Sequence, residues 1–193
     1  MDLEGKKIGF ALTGSFCTLT KVINELKELK NAGADIYPIM SETVWSTDTR
    51  FGSADNFRSQ LTDICQKEII HTISGAEPIG PKNYLDALII APCTGNTLSK
   101  LANGITDTCV AMAAKATLRN QKPVIVAVST NDGLGASAKN LGLLLNPAGI
   151  YFVPFGQDDP VSKPNSLVAK MPLIAQTVQE ALCHTQTQPL LRV

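Results

Sequence analysis

Leu88-Ile-Ile-Ala-Pro-Cys-Thr-Gly-Asn-Thr-Leu-Ser-Lys-Leu-Ala-Asn-Gly-Ile-Thr-Asp-Thr108 changes character twice along its length. It opens within an apolar run, Ala87 to Ala91, of the kind that forms a strand buried on both faces of a parallel sheet. The run stops at Pro92, which has no N–H to give to a continuing ladder. Small polar residues follow at once (Cys93, Thr94, Gly95, Asn96, Thr97), and Leu98, Leu101 and Ala102 then return at helical spacing. A strand running through a polar loop into a helix is the repeating unit of an α/β fold. In open α/β sheets, ligands bind outside the carboxyl ends of the strands, where such loops lie. Hydroxyls, an amide and free helix N–H groups gathered there suit an anion such as a phosphate.

A second loop of this kind lies near the N-terminus. Lys7 to Thr13 reads as a strand, and Gly14-Ser15-Phe16-Cys17-Thr18 as a turn into a helix with Leu19, Val22, Ile23, Leu26 and Leu29 on one face. Gly33 is placed to end that helix. Gly14 stands alone among non-glycines, so the loop lacks the G-x-G-x-x-G pattern, and no P-loop lysine motif occurs. A nicotinamide site of the usual fingerprint is therefore not expected on this chain.

Strands and helices alternate from end to end. Strands are expected at 6–13, 34–40, 68–71, 86–91, 123–128 and 150–154. Helices are expected near 16–31, 53–67, 95–103, 107–120, 134–145 and 167–185. This alternation predicts an α/β fold: a single doubly wound three-layer domain over residues 1–193, with a mainly parallel sheet of about six strands and right-handed crossovers. Three longer connections interrupt it: 41–50 with the only tryptophan, Trp45; 72–83 with Gly75, Pro78, Gly80 and Pro81; and 156–164 with Asp158, Asp159 and two prolines. Residues 186–193 read as a mobile tail.

Composition narrows the function classes. Seventeen basic and 17 acidic residues balance, with no basic stripe, so no nucleic-acid partner is expected. The longest apolar runs are strand-sized, so no membrane span is expected, and the N-terminus carries no signal-peptide pattern. Five scattered cysteines without C-x-x-C spacing favour reduced thiols in a cytoplasmic protein, and only two histidines argue against a histidine metal centre; no metal is expected.

Candidate chemistry concentrates at the carboxyl edge of the expected sheet. His71 ends the third expected strand ahead of a Pro/Gly-rich loop, where a histidine suits proton transfer near neutrality. His184 reads as solvent-exposed. Cys17 and Cys93 lie in the two ligand loops, where small buried residues fit tight turns as well as a nucleophile would. Ser41 follows the second strand, and its hydroxyl reaches towards the same edge or caps a turn. Ser129-Thr130-Asn131 follows the fifth. Clusters at 13–15, 41, 94–97 and 129–131 together read as a nucleotide or flavin pocket.

Ala91-Pro92-Cys93-Thr94-Gly95-Asn96-Thr97, followed by Lys100-Leu-Ala-Asn-Gly-Ile105, closely resembles the Pro-Ala-Ser-Ala-Asn-Thr motif of the homo-oligomeric flavin-containing cysteine decarboxylases and the related flavin prenyltransferases. Thr13-Gly14-Ser15 resembles their first flavin-phosphate loop, and His71 falls where the decarboxylases place an active-site histidine. The resemblance implies FMN held by Thr13, Gly14, Ser15, Ser41, Thr94, Gly95, Asn96, Thr97, Ser129 and Thr130. It implies His71 and Asn96 in catalysis, and self-association as a trimer or a multiple of trimers. His71 to Pro81, Ser129 to Asn140 and Gly156 to Pro160 are most similar to a branch from spore-forming bacteria. Proteins of that branch work beside a partner, a nicotinamide-binding dehydrogenase that carries NAD(P) and forms the A subunit of the pair. Together they oxidise the small dicarboxylate dihydrodipicolinate to dipicolinate in the cytoplasm of the mother cell. The decarboxylases carry Pro-Ala-Met-Asn after the fifth strand, where this chain has Val128-Ser129-Thr130-Asn131, and the prenyltransferases use an arginine where Thr130 stands. The alternatives are a flavin-dependent decarboxylase of the same superfamily and a non-catalytic partner of the dehydrogenase.

Overall fold

The computed structural model describes residues 3–192, and the two polar loops leave the carboxyl ends of paired, parallel strands. The strands are β1 (Lys7–Leu12), β2 (Asp35–Met40), β3 (Ala87–Cys93), β4 (Val124–Thr130), β5 (Ile150–Phe152), β6 (Phe155–Gly156) and β7 (Leu167–Ala169). The helices are α1 (Phe16–Asn31), α2 (Glu42–Ser46), α3 (Ala54–Cys65), α4 (Ile73–Ala76), α5 (Ile79–Lys82), α6 (Gly95–Ala102), α7 (Cys109–Arg119), α8 (Ala138–Leu144) and α9 (Ile174–Leu182).

The first five strands pair in parallel in the order β2-β1-β3-β4-β5. β6 and β7 form an antiparallel ribbon, and β7 pairs with Ser129 and Thr130 of β4, beyond the reach of β5. The sheet is thus mostly parallel and seven-stranded. α1 and α9 pack on one face; α7, backed by α4, α5 and α6, covers the other. All seven residues of β3 are buried, as are Leu19, Val22, Ile23, Leu26 and Leu29 of α1. Each buried Leu, Ile or Val side chain among these contributes about 1.5–3 kcal/mol when withdrawn from water. The strand order turns back between β1 and β3, which opens a crevice at their carboxyl ends.

Several boundaries differ from the sequence reading. β3 runs through Pro92 to Cys93: its register with β4 slips between Ile90 and Cys93, so the missing proline N–H falls where the ladder is already broken. Residues 68–71 make no strand. Ile70 contributes one bridge to Ile39, exchanging hydrogen bonds with Pro38 and Met40 at the outer side of β2. The helix expected over 167–185 is confined to α9; Leu167-Val168-Ala169 extends the sheet instead, and Pro172 opens the turn that leads into α9. The connections at 41–50 and 72–83 contain α2, α4 and α5, started by Ser41 and Thr72 as caps of α2 and α4. The last residues, read as a mobile tail, lie along β6. The Gln186 amide bonds both the N–H and C=O of Phe152, and Phe155 exchanges backbone hydrogen bonds with Leu190 and Arg192. Among the described residues no helix is long and apolar enough to cross a membrane.

Candidate functional site

The crevice at the turn of the strand order is a cavity of about 1270 Å³. Its β1 side is formed by Gly14, Ser15, Cys17, Thr18 and Lys21; its β3 side by Thr94, Gly95, Asn96 and Ser99. Ser129, Thr130, Asn131 and Asp132 line it from the end of β4. Ser137, Lys139 and Asn140 line it from α8, and Asp158, Lys163 and Ser166 from the loop before β7. Arg50 and Phe51 reach it from the loop between α2 and α3.

Beneath the cavity, Thr13 ties the two loops together. Its hydroxyl donates to the Pro92 carbonyl at 2.6 Å and accepts from the Thr94 N–H at 3.0 Å. With its one donor used and only 1% of its surface exposed, Thr13 holds the loops in place and is shielded from a ligand. Above it, Ser129 Oγ lies 2.8 Å from Ser15 Oγ and 3.0 Å from Thr18 Oγ1, joining the start of α1 to the end of β4.

That contact has a consequence for α1. Ser15 occupies the position before the helix, yet among the described residues its hydroxyl makes no cap bond. Among the described residues no acceptor faces the N–H groups of Phe16 and Cys17. Four amide donors at any helix start have no partner within the helix, and here two of them, those of Phe16 and Cys17, open beside a cavity with no acidic residue in the first turn. The helix dipole favours negative charge at this point.

The start of α6 is arranged differently. The Thr94 hydroxyl caps it, accepting from the Thr97 N–H at 3.3 Å and pairing with Thr97 Oγ1 at 3.1 Å. Asp132 then lies against Gly95. Its Oδ1 accepts from Thr130 Oγ1 at 2.5 Å and from Ser137 Oγ at 2.8 Å. A Cβ on residue 95 would come within 2.6 Å of Ser137 Oγ, 2.8 Å of Thr130 Oγ1 and 2.9 Å of Asp132 Oδ1, so glycine is what admits the cluster. The hydroxyls of Thr130 and Ser137 hold the Asp132 carboxyl below the usual carboxylate range, so it is ionised at neutral pH. The protein's own carboxylate thus stands beside the start of this helix.

Of the residues expected to form the site, the structure brings Gly14, Ser15, Thr94, Gly95, Asn96, Ser129 and Thr130 together around one cavity. Thr13 and Thr97 lie under it, buried. Ser41 does not line it: its hydroxyl caps α2, accepting from the Val44 N–H. His71 does not line it either. Its ring stacks on Trp45 with centroids 3.7 Å apart and planes 3° from parallel, and the Arg58 guanidinium covers the indole 4.8 Å from the ring centroid. Cys93 is fully buried, and burial pushes its thiol far above the ordinary range, away from thiolate chemistry. Cys109, whose Sγ donates to the Met40 carbonyl at 2.8 Å, is pushed up to about 11 by burial.

Sequence reasoning missed Thr18 and Lys21 as lining residues, although they fall three and six residues further along the face that Ser15 opens. It also missed the α8 wall. Asp132, Ser137 and Asn140 meet α6 only because α6 and α8 pack together, a contact between helices that no local pattern announces.

Comparison with known proteins gives matches of different weight. The B subunit of dipicolinate synthase from Bacillus subtilis (strain 168) is 52% identical over 190 residues, covering 98% of this chain and 95% of that protein. The crystal structure of the dipicolinate synthase B subunit from Bacillus halodurans superimposes with a TM-score of 0.92 at 47% identity, over 100% of this chain and 99% of that one. A dodecameric FMN-dependent UbiX-like decarboxylase from Escherichia coli O157:H7 shares the fold, with a TM-score of 0.60 at 20% identity over 77% of this chain and 79% of that one. The Flavoprotein family model matches residues 1–182, nearly the whole of the α/β fold described above, and the chain belongs to the Flavoprotein family.

Proposed function

We propose that this chain binds FMN in the cavity and serves as the B subunit of a dipicolinate synthase. Its partner, the dipicolinate synthase A subunit, would carry NAD(P), and the pair would oxidise dihydrodipicolinate to dipicolinate in the mother cell of a sporulating bacterium. The observation that carries the flavin reading is the uncapped start of α1 at the turn of the strand order, with the Phe16 and Cys17 amides facing no acceptor among the described residues. In flavodoxin, a doubly wound sheet of this order, FMN lies at the switch point between the first and third strands. The Bacillus subtilis relative, a dipicolinate synthase B subunit matched over nearly the full length of this chain, supports the assignment to the synthase.

In this reading Gly14 and Ser15 receive the phosphate, with Lys21 and Arg50 supplying positive charge. Thr94, Gly95 and Asn96 line the opposite wall, and Ser129 and Thr130 sit beside the ring. Thr13, Thr97 and Ser41 act from beneath, holding the loops. Bound flavin supplies a hydride acceptor. Asn96, exposed on the cavity wall, donates a hydrogen bond to a flavin carbonyl or a substrate carboxylate. His71 does not line the cavity of its own protomer, so a proton role for it requires the cavity of a neighbouring copy. This favours the trimer or multiple of trimers, as does the dodecamer of the Escherichia coli relative.

The test is purification of the chain alone and together with the nicotinamide-binding partner. The expected result is an oxidised-flavin spectrum from the chain alone and dipicolinate formation only with both proteins. A colourless protein that takes up no FMN on titration would remove the flavin reading and leave the non-catalytic partner.

A further inference from the structure

The wall formed by Asp158, Lys163 and Ser166 is a loop whose two ends both enter the β6–β7 ribbon. Its β7 end is secured, because Leu167 and Val168 pair with Thr130 and Ser129 of β4. Its β6 end is a strand of two residues, too short to hold much by itself. Among the described residues, the other edge of β6 is met by the end of the chain alone. The Phe155 N–H donates to the Leu190 carbonyl at 3.0 Å, and the Arg192 N–H donates to the Phe155 carbonyl at 2.9 Å. Gly156 makes room for this contact: a Cβ there would fall on the Arg192 carbonyl oxygen. The contact is also held against a cost. The Arg192 Nε–H is buried with no acceptor among the described residues, and the Leu191 side chain is 70% exposed. An unpaired buried donor opposes docking, so two backbone hydrogen bonds and the partly buried Leu190 must outweigh it.

We propose that residues 190–192 are a releasable strap that governs this wall of the cavity. Docked on β6, they keep the 157–166 loop in place; undocked, they let the loop move and a bound ligand exchange. Release exposes the N–H and C=O of Phe155 to water at the root of the loop. β7 stays paired with β4, so the motion is confined to the β6 side and leaves Ser129 on Ser15 and Thr18. Gly156 is then a positioning residue that touches no ligand and acts through the strap. Elements held by few bonds and little buried apolar surface open well below the free energy of global unfolding. The strap stands on these contacts by themselves; only its effect on FMN rests on the proposed function.

Amide hydrogen exchange is followed in the full-length protein, in Gly156→Ala and in a chain ending at Pro189, and FMN dissociation is timed in each. In the wild type the Phe155 and Arg192 amides should exchange at least tenfold faster than those of β1 and β3. Both variants should raise exchange at Phe155 and across residues 157–166 at least tenfold further, with β1 and β3 unchanged. FMN should leave both variants at least tenfold faster than it leaves the wild type. If the shortened chain does not fold, Gly156→Ala, which removes no residue, carries the test. The strap is overturned if wild-type Phe155 is as protected as β3, or if Gly156→Ala exchanges like the wild type across 157–166. It is equally overturned if loop exchange rises while FMN leaves at the wild-type rate. If the wild type binds no FMN, exchange alone decides the strap, and the flavin reading falls by itself.

Discussion

Helices α1 and α6 leave the carboxyl ends of neighbouring strands and open onto the same cavity, yet their first turns are treated in opposite ways. The start of α6 is closed by the protein: Thr94 caps it, and the ionised Asp132 stands against Gly95. The start of α1 has no such cap, because the Ser15 hydroxyl pairs with the hydroxyls of Ser129 and Thr18 rather than with a backbone N–H of the helix. Two loops of the same pattern thus divide the work. One carries a side-chain cap with a carboxylate beside it and shapes the wall; the other has no side-chain cap, and its open donors suit a ligand anion.

Closing the gap at α6 should do the most damage. Gly95→Ala places a methyl group within 3 Å of three polar atoms on short side chains, so the Thr130–Asp132–Ser137 cluster must move. The motif of the related decarboxylases carries alanine at this place, and this chain uses the vacated space for the carboxylate. The expected cost is about 2 kcal/mol, a fall of about 4–8 °C in melting temperature. An unchanged thermal melt would mean that the cluster adapts freely.

Filling the open helix start should separate stability from binding. Ser15→Asp puts a carboxylate where a ligand phosphate is proposed, and aspartate is also a good helix cap. FMN affinity should fall at least tenfold, about 1.4 kcal/mol or more, with no loss of thermal stability. Equal FMN binding by fluorescence titration in the two proteins would move the phosphate away from α1.

The contrast between the two helices also marks how far the sequence can be read. The bounds of α1 and the cores of β1, β3 and β4 follow from patterns that local chemistry enforces: unbroken apolar runs for strands covered on both faces, and 3.6-residue spacing for a helix covered on one. The polar loops are legible for the same reason, since nothing but a strand end explains small polar residues after Ala91 or Thr13. Pro92 within β3 is not legible, because the register slip that accommodates it depends on β4. The β6–β7 ribbon is too short to show alternation. The place of His71 in the chain points to the cavity, but α2, hidden in a polar loop, brings Trp45 over its ring. Whether a threonine caps, braces or binds is settled by neighbours distant in sequence, as Thr13 and Pro92 show, 79 residues apart.

A smaller effect tests the cap itself. Thr94→Ala removes the acceptor for the Thr97 N–H and should cost about 1 kcal/mol. Ser15→Ala removes no cap and should cost less, since Ser129 retains its bond to Thr18. Equal losses in urea denaturation would show that Ser15 does cap α1 in solution, and the difference between the two helix starts would disappear.

The smallest expected effect is the acid dependence contributed by Asp132, which is partly solvated. Hydrogen bonds from Thr130 and Ser137 lower its folded-state pKa below that of the unfolded chain, about 3.9. A depressed carboxylate pKa means that the unfolded state binds the proton more readily. The stabilisation is therefore fully present above about pH 4 and is lost as pH falls further, through the folded-state value. Other depressed carboxylates, such as Asp107 beside Lys100, act in the same direction, so the wild type alone cannot isolate Asp132. Asp132→Asn can, because its amide oxygen still accepts from both hydroxyls while carrying no titrating proton. The stability gap between wild type and Asp132→Asn, measured by urea denaturation, should be constant from pH 7 to about 5 and narrow below pH 4. A gap that stays constant down to pH 3 would show that the carboxylate gains nothing from its charge at the start of α6, and the hydroxyls and helix would then be holding an oxygen atom rather than an anion.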